Sequence, residues 1–191
     1  MARRISTRWQ HRQRSVAPIA ALIAAQYAER PGNYLAFFSS FDYLDAALGA
    51  LAEQAPQLPL WAQRRGMSEA EQAAFLARFA PGGRGVGFAV LGGAFAEGID
   101  LPGDRLIGAF IATLGLPQVN PVNEQFRQRI EALHPGRGFD FVYLYPGLQK
   151  VVQAAGRVIR SESDRGVLHL MDDRFARPDV KHLLPRWWQV P

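Results

Sequence analysis

Gln153-Ala154-Ala155-Gly156-Arg157-Val158-Ile159-Arg160 lies at the centre of a run from Tyr145 to Phe175 around which the rest of the chain can be arranged. On a helix at about 100° per residue, Leu148, Val151, Val152, Ala155 and Ile159 fall on one face. Gln153, Gly156, Arg157 and Arg160 fall on another, spaced i, i+3, i+4, i+7. The apolar stripe would hold the helix to a core. The polar stripe offers an amide, a glycine gap and two guanidiniums, and a guanidinium suits phosphate oxygens because its planar fork donates in pairs and stays charged. A glycine in mid-helix costs about 1 kcal/mol against alanine, which points to a close approach at Gly156. The pattern alone favours the simpler reading, a solvated polar face on a buried helix.

Working outward, apolar runs of strand length alternate with helical periods. Tyr34-Leu35-Ala36-Phe37-Phe38 is continuous, as suits a parallel strand covered on both faces. Val86 to Leu91, Leu106 to Ala112 and Gly166 to Met171 read as further strands, and Pro56 to Trp61 as a short buried or edge segment. Helices are expected from Ser15 to Arg30, from Phe41 to Gln54 after a Ser39-Ser40 cap, and from Ser68 to Phe79, where Ser68 and Glu71 have capping-box spacing. A further helix, Val122 to Leu133, precedes the central one. This order predicts a three-layer α/β domain with a mostly parallel central sheet. In such a sheet ligands gather where strands end and helices begin, which draws attention to Ser39, Ser40 and the glycine-rich loop after Leu91. As plain helix caps the two serines need no ligand, and the loop acids Glu97 and Asp100 could be a capped, solvated turn.

Three segments together resemble one family. Gln-x-x-Gly-Arg-x-x-Arg at 153–160 resembles motif VI of superfamily 2 helicases, and its continuation to Asp172-Asp173-Arg174-Phe175 resembles the DinG/XPD branch. Gly93-Ala94-Phe95-Ala96-Glu97-Gly98-Ile99-Asp100-Leu101-Pro102-Gly103 looks like that branch's motif V, and the segment from Asn33 to Leu44 looks like its motif IV. The resemblance implies a RecA-like fold: the second motor domain of an ATP-dependent DNA helicase. In it Arg160 and Arg157 would be arginine fingers and Gln153 would orient the phosphate or the attacking water. Gly98, Asp100 and Gly156 would border the nucleotide, while Ser39, Ser40, Phe95 and Glu97 would grip single-stranded DNA. Residues 1–30 would be a basic arm and helix leading from a first motor domain, and residues 31–191 the helicase domain itself. Translocation in this branch runs 5′ to 3′, and the expected location is the cytoplasm.

Neither a Gly-x-x-x-x-Gly-Lys-Ser/Thr loop nor an Asp-Glu-x-His box occurs in the chain. ATP and Mg²⁺ are therefore expected to sit mainly on the first RecA-like domain, the chain's chief partner besides single-stranded DNA, and the chain alone should not hydrolyse ATP. The alternative is a stand-alone module that binds nucleic acid or protein without motor activity. Cysteine is absent, which excludes disulfides, cysteine-ligated zinc and an iron–sulfur cluster on this chain. The formal charge of +5 is confined to the amino terminus. Arg3, Arg4, Arg8, Arg12 and Arg14 precede the first acid, Glu29, and beyond that point the charges balance. Phosphate binding by the body must come from local arrangement. No stretch is long enough to span a membrane. Trp187-Trp188 near the carboxyl end are expected to pack on the body.

Overall fold

The computed structural model describes residues 1–95, 100–158 and 166–188. Among these residues, five strands form one sheet in the order β2-β3-β1-β4-β5, with every neighbouring pair parallel. They are β1 (Asn33–Phe38), β2 (Leu60–Ala62), β3 (Gly85–Val90), β4 (Gly108–Ala112) and β5 (Val167–Leu170). Among the described residues, six α-helices accompany them: α1 (Arg12–Glu29), α2 (Phe41–Gln54), α3 (Glu69–Ala77), α4 (Pro121–Leu133), α5 (Tyr145–Ala155) and α6 (Pro178–Lys181). Central β1 is buried at all six positions, as its unbroken apolar run requires. Tyr34, Ala36 and Phe38 face one layer with Ile19, Ile23, Leu44, Phe88 and Phe110; Leu35 and Phe37 face the other with Phe79, Ile111, Val151 and Phe175. Alternating side chains thus feed two cores, one on each side of the sheet.

Local chemistry sets most boundaries. Ser40 Oγ accepts from Tyr43 N–H at 3.3 Å to start α2, and Ser68 and Glu71 form the expected capping box on α3. The segment after Pro56 supplies only the short edge strand β2. Helix α1 begins three residues earlier than its apolar period suggests, at Arg12 after a 3-10 turn. It is an integral layer of the domain, with Ile19, Ala20 and Ile23 fully buried, so residue 30 is not a boundary in packing.

The amino-terminal arm is also fastened down. Ala2 N–H donates to Leu170 O at 3.0 Å, and Asp173 N–H to Ile5 O at 2.6 Å. Thr7 N–H donates to Asp172 Oδ2 at 3.0 Å, and Arg8 pairs with Asp173 at 2.6 Å. At the other end, Trp188 packs on the core, whereas Trp187 remains 60% exposed, so only one of the two indoles packs as expected.

The central helix is shorter than its periodicity predicts. It begins with a π-turn over Asp140–Leu144 and stops at Ala155. Arg157 N–H turns back to Ala154 O at 3.1 Å, and Val158 N–H to Ala155 O at 3.0 Å, so the i→i−4 ladder is broken. A glycine followed by the β-branched pair Val158-Ile159 is poor helix material, and local propensity prevails over the apolar period there. Gly156 is consequently a helix cap and not a mid-helix residue. Among the described residues, a Cβ on it would meet only backbone oxygens at 3.4 Å. Gly166 differs: a Cβ there would lie 2.1 Å from Val158 Cγ1. Gly166→Ala is expected to destabilise by about 1–3 kcal/mol through overpacking, and Gly156→Ala to change stability by less than about 0.5 kcal/mol. Urea unfolding midpoints of the two variants check this.

Candidate nucleotide and nucleic-acid interface

Because all five strands are parallel, their carboxyl ends deliver five loops to one lip of the domain: Ser39-Ser40 after β1, Gln63 after β2, Leu91-Gly92-Gly93 after β3, Thr113-Leu114-Gly115 after β4 and Met171-Asp172 after β5. The two serines divide their work. Ser40 caps α2, while Ser39 Oγ is buried without a hydrogen-bond partner among the described residues. A buried hydroxyl left unsatisfied costs about 1–3 kcal/mol, so Ser39 is the serine with capacity left for a ligand oxygen.

The loop after β3 starts from a left-handed Gly92, at φ +79°, and Leu91 N–H is tied to Phe38 O at 2.8 Å. Gln63 Oε1 accepts from Val90 N–H at 2.8 Å and braces the same turn. Phe95 then drops into the core. It is 1% exposed and stacked 4.1 Å from Phe75, and Leu101 is buried where the chain comes back. This corrects the expectation of a DNA contact by the Phe95 ring, which is an anchor with no face open to a base. Asp100 is exposed; Glu97 and Gly98 lie outside the described residues.

Helix α5 is seated directly on this lip. Gly115, at φ +72°, and Gly147 leave no room for side chains: a Cβ on the first would come within 2.6 Å of Gly147 O, and one on the second within 2.8 Å of Leu114 O. This close approach fixes the outward face of α5. Gln153 is exposed, and Gly156 and Arg157 are half-buried. Arg160 lies outside the described residues, so the structure brings together Gln153, Gly156 and Arg157 of the expected stripe. It adds one residue that sequence reasoning missed. Lys150, at i−3 from Gln153 and i−7 from Arg157, runs along Gly92, with Cδ 3.3 Å and Nζ 3.5 Å from where a Cβ would stand. Its spacing on the stripe, and its being one of two lysines in a chain otherwise using arginine, were the available signals. Among the described residues, no group of three His, Cys, Asp or Glu side chains is placed to hold a metal ion. No described helix is long and apolar enough to cross a membrane.

Residues 23–190 match the family of helicase C-terminal domains. The chain belongs to that family. This helicase C-terminal domain is 33% identical over 168 residues to the XPD helicase subunit of general transcription and DNA repair factor IIH from Arabidopsis thaliana, covering 82% of the chain and 22% of the relative. It is 38% identical over 85 residues to the ATP-dependent DNA helicase DinG of Photobacterium profundum, covering 44% of the chain and 12% of the relative. The chain thus spans less than a quarter of these relatives' lengths. A solved XPD helicase structure superposes with a TM-score of 0.77 over 95% of this chain and 32% of that one, at 22% identity. The shared fold is the three-layer α/β architecture expected from the element order, and the RecA-like fold that the family resemblance implied.

Proposed function

We propose that this helicase C-terminal domain is the second motor domain of an ATP-dependent, 5′-to-3′ DNA helicase and completes an ATP site held mainly on a first motor domain. The observation that carries the reading is the seating of α5, through Gly147, on the glycine turn after β4, with Lys150 reaching over the glycine turn after β3, which sets Lys150, Gln153 and Arg157 beside the lip where strands end. Phosphoryl transfer to water needs positioning and charge neutralisation rather than covalent chemistry, and guanidiniums supply the second. Arg157 and Arg160 act as arginine fingers on the terminal phosphate, and Gln153 orients the phosphate or the attacking water. Gly98, Asp100 and Gly156 border the nucleotide. Gly156 suits that place, because among the described residues no side chain lies within 4 Å of where its Cβ would stand. Ser39 and Ser40 bind a phosphate of single-stranded DNA, with Glu97 holding the loop that couples the two ligands. Lys150, lying over that loop's first glycine, joins the nucleotide loop to the arginine helix. Magnesium, brought with ATP, would neutralise phosphate charge, and its ligands would lie mainly on the first motor domain.

This division of parts is testable directly. The chain alone is expected to show no ATP turnover. Fused to the first motor domain of a DinG/XPD relative, it is expected to hydrolyse ATP in a reaction stimulated by single-stranded DNA. Turnover by the isolated chain would defeat the division, and a fusion that binds DNA but ignores it in ATPase assays would defeat the coupling.

A further inference from the structure

The amino-terminal arm holds a group of side chains that the motor reading leaves unused. Trp9, in the 3-10 turn before α1, is 79% exposed. Its ring is nevertheless held in place, because the Arg12 guanidinium carbon lies 4.9 Å from its centroid. The same guanidinium lies 5.4 Å from the centroid of Tyr43, which is itself 4% exposed and fixed by a 2.5 Å hydroxyl contact with Ser15. Arg12 therefore stands between a buried ring and an exposed one. Its Nε is buried without a hydrogen-bond partner among the described residues, so stacking holds it there and not a carboxylate.

The position of this stack matters as much as its make-up. Tyr43 belongs to the first turn of α2, the turn capped by Ser40, so the stack opens on the same lip as Ser39. Two residues back, on the nearly opposite side of that turn, the Arg65 guanidinium lies 4.6 Å from the centroid of Phe41. Guanidiniums paired with rings thus flank the serines on both sides. The arm also carries the chain's charge excess: Arg4 and Arg14 are exposed, and the first turn of α1 has no acidic residue.

We propose that Trp9, backed by Arg12, is a stacking platform for a base of single-stranded DNA, extending the strand path from Ser39 onto the arm. The inference rests on the reading of the lip as a DNA-gripping surface. An indole offers a π-face that any base can use, and a stacked guanidinium adds cation–π attraction while the neighbouring arginines meet the phosphates. A protein partner would need a continuous apolar patch, and a lone indole among arginines does not provide one.

The test is fluorescence anisotropy of a labelled oligo-dT of about 15 nucleotides, long enough to reach from the lip to the arm, titrated with the full chain at fixed low salt. Trp9→Ala is expected to weaken binding about tenfold, Trp9→Phe less than about threefold, and neither to alter the melting temperature, because the ring is exposed. Wild-type affinity in Trp9→Ala, alongside weakened binding in Ser39→Ala, would overturn the platform and leave the lip intact. A wild-type chain that does not bind the oligonucleotide would overturn both.

Discussion

Replacing Asp172 by Asn is expected to lower the thermal unfolding midpoint by about 10 °C, an effect of about 3–5 kcal/mol. Asp172 is fully buried, and the Arg174 side chain facing it is only 14% exposed. The guanidinium grips the carboxylate in two places, Nε to Oδ1 at 2.7 Å and Nη2 to Oδ2 at 2.8 Å, and Arg174 N–H adds a third donor at 2.9 Å. Thr7 completes the set through its N–H and its hydroxyl. Removing the charge leaves a nearly buried cation without its counter-ion, which is why breaking one partner costs far more than the pair is worth. Burial by itself would raise the Asp172 carboxyl; Arg174 and then Thr7 outweigh it and hold the pKa below 3.8. With the folded value depressed, the stabilisation is present above the unfolded value and is lost as pH falls through the folded one. The melting difference between wild type and Asp172→Asn should therefore persist at neutral pH and shrink below about pH 4. Because Thr7 hangs on the same carboxylate, the variant should also lose residues 1–8 to limited proteolysis first. An unchanged melting point would show that the buried pair contributes nothing.

The sequence carried the architecture further than it carried the site. Continuous apolar runs at β1, β3 and β4 announced buried parallel strands, and Ser40 and Ser68 announced their helices, because strand burial and caps are local properties. Two expectations failed, one for a local reason and one for a tertiary one. The apolar period carried the central helix through Ile159, whereas Gly156 and the β-branched pair after Ala155 ended it. Phe95 sat in a loop motif beside charged residues and looked available, but its ring lies against Phe75, twenty positions earlier, a contact no pattern along the chain reveals. Lys150 was hidden for the same reason. Its importance comes from the turn at Gly92, which reaches α5 only after the sheet has formed. The arm gave the weakest signal of all, since its hold on the body depends on Asp172 and Asp173 at the far end of the chain.

The arginines of the α5 segment carry the largest functional prediction. Arg157 is half-buried at the end of α5, where the chain turns after Gly156, and Gly147 against Gly115 sets the angle of that helix. A finger needs such anchorage, because a guanidinium aimed at developing phosphate charge contributes most when it does not have to be ordered during the reaction. Supplying one is worth about 10³–10⁵ in turnover. An interaction made chiefly in the transition state should appear in kcat, while one that only holds ATP should appear in KM. The decisive measurement is steady-state ATP turnover, with saturating oligo-dT, by the chain fused to a first motor domain and carrying Arg160→Ala or Arg157→Ala. Arg160→Ala is expected to lose about 10³ in kcat and Arg157→Ala a comparable amount, with KM for ATP changed by less than about threefold. Turnover by both variants within about threefold of the parent fusion would contradict it.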